Sequence, residues 1–159
     1  MRLWHKDLIP VLPRQQLLGQ WRECCLIAKN IAENGTPNHI LVNKIMNYPL
    51  EHFYQYCIDI EEEMDSRGYN ANLGKIYDQL LKIVDKSFFL PWYEYVKPFS
   101  NEMFSTWHTN KYLTQCFYNL QEKYDCGGIP YDEWALVLKM YLDRQEQANK
   151  YLERVLLDT

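Results

Sequence analysis

An all-α fold, a single helical domain over residues 1–159 closed by a long C-terminal helix, is predicted from three observations. Apolar residues recur with a helical period along most of the chain, no segment alternates apolar and polar residues as a half-buried strand does, and Pro or Gly stands between the periodic runs. A chain of 159 residues with 47% apolar and 24% charged residues is long and apolar enough to bury a core, which excludes a disordered tail.

The first helix is expected from Arg14 to Glu33. Leu17, Trp21, Cys24, Ala28 and Ile31 mark one face, Pro13 precedes the run and Asn34-Gly35 follows it. A short helical piece is expected from Ile40 to Met46. A second full helix begins near Pro49, buries Leu50, Phe53, Tyr54, Cys57 and Met64, and stops at Arg67 before Gly68, with Glu61, Glu62 and Glu63 on its solvated face. A third spans Asn72 to Lys86 through Leu73, Ile76, Leu80 and Ile83. Residues 87–100 hold Pro91, Pro98 and six aromatics, the composition of an ordered aromatic loop packed on the helices. A fourth helix from Thr109 to Asp125 presents Tyr112, Cys116, Leu120 and Tyr124 and ends at Gly127-Gly128. The last runs uninterrupted from Tyr131 to about Leu156, so its far half lies on the body or on a partner chain, and a homo-oligomer through it is one expectation.

Charge and cysteine usage narrow the function. The longest uncharged apolar stretches fall far short of the roughly 20 residues a bilayer requires, and Asp7, Pro10 and Pro13 interrupt the apolar run a signal peptide needs. Five cysteines without a Cys-x-x-Cys pair read as reduced, packed thiols in a cytoplasmic protein, and with His5, His39, His52 and His108 scattered, neither a metal site nor a cofactor is expected. The net charge of −4 argues against a broad basic nucleic-acid surface. It conceals an asymmetry, however: residues 1–50 carry six Lys/Arg against three acids, while the remainder carries 11 against 18.

On a helical wheel, Gln15, Gly19, Arg22 and Glu23 share the polar side of the first helix, opposite Trp21 and Cys24. A mid-helix glycine costs about 1 kcal/mol relative to Ala, and close approach of a ligand or backbone is one use for it. The alternative is a solvated face with an incidental glycine. Trp4 and Trp21 can stack on a base, although Trp21 falls on the apolar face and reads as core. His108 and Tyr112, spaced i and i+4, form either a pair near a site or a structural pair. Cys24-Cys25 lacks a nearby group that would activate a thiol.

Met1-Arg2-Leu3-Trp4, then Gln15-x-Leu17, then Leu18-Gly19-Gln20-Trp21-Arg22-Glu23 resemble the pyrimidine-dimer DNA glycosylase family, whose phage members are repair enzymes with AP-lyase activity. Asn47-Tyr48-Pro49-Leu50 and Ser66-Arg67-Gly68-Tyr69 are similar to segments of bacterial relatives, and Trp92-Tyr93-Glu94-Tyr95 is faintly like an aromatic segment of the phage enzymes; the main resemblance covers about residues 1–70. It implies an all-helical domain in which the N-terminal α-amine is the nucleophile and Glu23 works beside it. Position 2 is Arg, too large for ordinary methionine excision, so the implied catalytic pair is Met1 and Glu23.

The amine would displace the base at C1′ and leave an imine, and proton loss at C2′ would then break the strand by β-elimination. An α-amine suits this work because its ordinary pKa, about 7.7 to 8, leaves a neutral fraction at physiological pH. Arg2 and Arg22 match phosphate-holding arginines of the family. With Gln15, Gly19 and His5, the last either a proton shuttle or a surface histidine, they make up the expected face for damaged or abasic duplex DNA. Leu26 stands where the phage enzymes place a further arginine, which implies fewer phosphate contacts. The competing expectation is a non-catalytic relative that acts as a DNA- or protein-binding module.

Overall fold

The computed structural model describes residues 1–84 and 102–157. Its elements are a 3-10 helix at Lys6–Val11, α1 at Arg14–Asn34, a second 3-10 helix at Asn43–Asn47, α2 at Leu50–Ser66, α3 at Gly74–Leu80, α4 at Asn110–Asp125 and α5 at Tyr131–Leu157. The fold is all-α, with no strand among the described residues. The aromatic loop expected over 87–100, including Trp92 to Tyr95, lies outside them.

The chemistry of the ends sets the bounds of α1. Pro13 lacks an N–H to leave orphaned, and its carbonyl accepts from Leu17 N–H; at the other end Gly35 takes the left-handed conformation (φ 72°) and its N–H caps the Ile31 carbonyl. Between them, Leu17, Trp21, Cys24, Ile27, Ala28 and Ile31 are buried, so the face expected from the sequence, Trp21 included, forms the core. Helix α1 packs on α2 and α3, with Phe53, Tyr54, Tyr56, Cys57 and Ile60 of α2 buried opposite. The acidic run differs from its expected placement. Glu62 is exposed, but Glu61 and Glu63 are half-buried, and Glu63 binds Arg67 at 2.7 Å.

Two expected helices are shorter or tighter than their periodicity indicates. The piece expected over Ile40 to Met46 is the 3-10 helix Asn43–Asn47, because Tyr48 before Pro49 is held extended (φ −122°, ψ 157°) and Ile40 and Leu41 face solvent. The third helix keeps regular geometry only through Leu80. Its next bonds include the tighter turns Lys82 N–H to the Gln79 carbonyl and Ile83 N–H to the Leu80 carbonyl, and Ile83 is exposed rather than buried.

The 3-10 helix Lys6–Val11 carries no periodic signal. His5 opens it by accepting the Asp7 N–H at its Nδ1, and the turn bonds Leu8 N–H to the His5 carbonyl and Leu12 N–H to the Ile9 carbonyl leave Pro10 with no N–H to supply. Arg67 holds its far end. The guanidinium bonds Glu63 through Nε and the carbonyls of Leu12 and Pro10 through its two terminal nitrogens, while Gly68 (φ 77°) ends α2 just beyond. The Ser66-Arg67-Gly68-Tyr69 segment therefore acts by fastening residues 10–12 to α2.

Helices α4 and α5 form an antiparallel pair in which Phe117 stacks on Trp134 and Tyr141 and Tyr124 stacks on Trp134. The pair meets the 3-10 helix Lys6–Val11 through α5, where Arg144 binds Asp7 at 2.8 Å, and Glu133 of α5 accepts the N–H of Arg14, the first residue of α1, at 2.6 Å. Among the described residues no helix is long and apolar enough to cross a membrane.

Candidate active site

Residues 1–5 have no regular secondary structure, yet side chains from three helices satisfy their backbone. Arg2 N–H donates to Glu23 Oε2 at 2.9 Å, and Trp4 N–H donates to Gln20 Oε1 at 2.8 Å. In an extended segment the N–H groups of residues two apart point the same way, and two residues three apart on a helix lie one above the other on one face. Positions 2 and 4 therefore read positions 23 and 20 of α1. The Trp4 carbonyl, on that same side, accepts from Tyr56 Oη of α2 at 2.8 Å, and this hydroxyl also lies 3.1 Å from Gln20 Oε1. The Leu3 carbonyl points the other way and accepts from Tyr112 Oη of α4.

Burial makes these bonds obligatory. Leu3 and Tyr56 are fully buried and Trp4 is 7% exposed, so an unpaired carbonyl or N–H here would forfeit its hydration without compensation. Burial also raises the Tyr56 and Tyr112 pKa values, which keeps both hydroxyls protonated as donors.

The segment ends with Met1, whose α-amino nitrogen lies 3.8 Å from Glu23 Oε1. One carboxylate thus holds the Arg2 N–H through one oxygen and faces the amine with the other, and the Glu23 side chain remains 34% exposed. Beside it on α1, Arg22 is exposed and makes no ion pair among the described residues, Gln15 is exposed, and a Cβ built on Gly19 would meet no atom within 4 Å. The Arg2 guanidinium stands 5.5 Å from the Trp4 ring centroid, a cation–π distance. The Met1 amine and the Arg2 backbone N–H therefore meet α1 at Glu23, with Arg22 beside it and Gly19 one turn before, where an added Cβ would meet no atom among the described residues.

His5 falls elsewhere. It is 2% exposed, where the sequence left proton shuttle or surface residue as the alternatives, and its ring stacks on His108 at 5.1 Å with its contacts on α4 and the Lys6–Val11 turn. His108 accepts the Lys6 N–H at Nδ1, so its proton sits on Nε2. Its pKa falls to about 2, chiefly through burial, with His5 and Lys6 adding to the effect, and burial lowers His5 as well. Both imidazoles are neutral structural groups at physiological pH. His108 and Tyr112, spaced i and i+4, have ring centroids 5.2 Å apart and serve separate parts of the N-terminal segment. Burial raises the Cys25 and Cys57 thiols, against any nucleophilic role, and all five cysteines are free.

The sequence reading misses Gln20, Tyr56 and the role of Tyr112. Their bonds to residues 3 and 4 span separations of 16, 52 and 109 positions, so no local spacing announces them.

Residues 1–77 match the family model of the pyrimidine dimer DNA glycosylases. The match bears out the family resemblance and extends it slightly, from the first residue into α3, and it contains Met1, Arg2, Gln15, Gly19, Arg22 and Glu23. This N-terminal portion, just under half of the chain, is similar to pyrimidine dimer DNA glycosylases, while α4 and α5 lie beyond it. No curated protein and no solved structure matches the chain.

Proposed function

We propose that this protein is a DNA glycosylase with AP-lyase activity, acting on damaged or abasic duplex DNA through the α-amine of Met1 and the carboxylate of Glu23. The observation that carries the reading is the 3.8 Å approach of the Met1 nitrogen to Glu23 Oε1 at a partly exposed edge, within the segment similar to the glycosylases. The neutral amine attacks C1′, the C1′–N bond breaks, and the base departs with the bonding pair. The attached amine loses one proton, its nitrogen lone pair then forms the C=N bond as the C1′–O4′ bond breaks, and O4′ takes a proton, leaving an iminium at C1′ of the opened sugar. Glu23 stabilises the cationic sugar, takes the C2′ proton, and the C3′–O bond breaks by β-elimination.

The surroundings have matching roles. Arg22 and Gln15 are free to meet phosphates, Arg2 meets them from its position over Trp4, and Gly19 lets the backbone of the duplex come close. Gln20, Tyr56 and Tyr112 position the nucleophile by fixing residues 3 and 4, and His5 with His108 supports the segment from beneath.

Borohydride trapping on abasic DNA tests the proposal. Reduction of the imine links protein to DNA, and the bond should map to residue 1. A residue appended before Met1 moves the amine about 3.5 Å, and attack geometry tolerates errors of roughly 1 Å. The cross-link should therefore vanish with an N-terminal tag and return when cleavage frees Met1. A bond that maps to Lys6, or that persists undiminished in the blocked protein, overturns the amine mechanism in favour of a DNA- or protein-binding module.

A further inference from the structure

The link between α1 and α2 uses its hydrogen bonds to hold two apolar side chains out in water. Ile40 is 83% exposed and Leu41 50%, while Pro37, Val42 and Ile45 around them are buried. Thr36 Oγ1 accepts the Asn38 N–H and donates to Asn43 Oδ1, both at 3.2 Å, and this same amide oxygen accepts the His39 N–H at 3.0 Å. The His39 carbonyl accepts from the N–H groups of Val42 and Asn43, and His39 Nδ1 accepts the Leu41 N–H at 3.3 Å. Asn38 takes a left-handed conformation (φ 57°), which asparagine tolerates better than most residues. Residues 36–43 thus form a knuckle fixed by its own side chains, with Ile40 and Leu41 at the tip. One exposed apolar residue is ordinary, but two adjacent ones on a turn tied this closely are a prepared contact surface.

Asn30 places the tip relative to the candidate site. Its Nδ2 donates to the Pro37 carbonyl at 3.0 Å, and Asn30 lies seven residues beyond Glu23, on the same face of α1 and about 10 Å further along its axis. The knuckle therefore rises from the face that meets the Met1 amine, about three base steps away at roughly 3.4 Å each. Charge selects the partner. From residue 34 to residue 50 the chain has no Asp or Glu, although the whole protein carries a net charge of −4, and the formal charge of this stretch is the exposed Lys44. An apolar tip backed by a lysine, with no acid on its own segment, suits a phosphate-lined duplex, where apolar side chains part base steps and cations meet the backbone.

We infer that Ile40 and Leu41 are a wedge that enters the duplex and unstacks a base step near the nucleotide attacked by Met1, with Lys44 on a flanking phosphate. This role rests on the protein being a DNA glycosylase, whose attack at C1′ requires the nucleotide to leave the stack. Opening the stack costs least where a base is damaged or missing, so the wedge contributes selectivity as well as access.

A duplex in which a tetrahydrofuran abasic analogue lies beside the fluorescent base 2-aminopurine separates insertion from chemistry. The analogue lacks the C1′ hydroxyl from which an imine forms, and 2-aminopurine brightens when it unstacks. The parent should raise the fluorescence, and so should Glu23→Gln. The double substitution Ile40→Ser with Leu41→Ser changes only exposed side chains, so helical content should hold. It should abolish the rise and weaken duplex affinity about tenfold. On true abasic sites its ratio of duplex to single-strand cleavage should fall by about the same factor, because a single strand has no stack to open. Lys44→Ala should lower the salt slope of duplex binding by about one. Duplex binding without a fluorescence rise, or a rise that survives the double substitution, overturns the wedge and leaves the tip to a protein or lipid surface, even where borohydride still links residue 1 to DNA. A rise that is lost with Ile40 and Leu41 upholds the wedge even where the trapped bond maps elsewhere, so the wedge and the amine mechanism fail separately. A parent that does not bind the duplex overturns both.

Discussion

The first five residues and helix α5 invert the usual relation between regular structure and order. The N-terminal segment has no repeating conformation, yet Leu3 is fully buried and side chains of α1, α2 and α4 hold its polar backbone. Helix α5 is 27 residues of unbroken α-helix, yet only Trp134 and Val137 are buried in it. A helix satisfies its own backbone and can stand at a surface, whereas an extended segment without a neighbouring strand must borrow partners from elsewhere. Borrowed partners fix position more narrowly than a helix's own ladder, and this is why a nucleophile is better placed on the segment than on α5.

The sharpest way to break this comparison is at Glu23, which serves the segment and the proposed chemistry together. Glu23→Gln should lower strand cleavage by at least about 100-fold, while thermal stability changes little because the amide oxygen still accepts the Arg2 N–H. Cleavage within threefold of the parent would remove Glu23 from the mechanism.

Tyr56→Phe tests the segment without touching the reacting groups. It removes the donor to the buried Trp4 carbonyl and should cost about 1–3 kcal/mol in urea unfolding. Trapping should fall as residues 1–4 loosen. An equivalent removal on α5, Tyr151→Phe, should change neither measurement, because that side chain is 67% exposed. If Tyr56→Phe were as silent as Tyr151→Phe, the borrowed bonds would not be what orders the segment.

A smaller effect follows from His108. Its folded pKa of about 2 lies below the ordinary histidine value of 6.5, so the unfolded chain binds a proton that the folded chain refuses. Stability is therefore full above pH 6.5 and is lost as pH falls toward 2. By pH 5, above most carboxylate titration, the loss from this group reaches about 2 kcal/mol. His108→Asn keeps an acceptor for the Lys6 N–H but does not titrate, and its unfolding free energy should fall less between pH 7 and pH 5 by that amount. Equal slopes in the two proteins would mean that His108 protonates in the folded state.

The smallest change is at Gly19, where an added Cβ meets no atom within 4 Å among the described residues. Gly19→Leu should raise stability by nearly 1 kcal/mol through helix propensity alone, and weaken binding of abasic duplex if the backbone of DNA passes over it. A stabilised variant with parental affinity would leave the glycine as an incidental feature of a solvated face.

Read from its residues, this chain declared its α-helices well. Leu17 to Ile31, Phe53 to Met64 and the run from Tyr131 carry their burial pattern in spacings of three and four, and Pro13, Gly35 and Gly68 mark ends through backbone geometry that is local by nature. The polar group on α1, with Gly19, Arg22 and Glu23 on one side, was legible for the same reason, and the similarity to the glycosylases followed from contiguous residues. The tertiary structure alone decided which backbone atoms those side chains meet. That Glu23 takes Arg2 N–H, that Gln20 takes Trp4 N–H, that Tyr112 reaches Leu3 from the far end of the chain, and that His5 is buried against His108 all depend on helices brought together by their apolar faces. Periodicity tells how a helix turns its own side chains, but an extended segment's hydrogen bonds are settled only when its neighbours arrive.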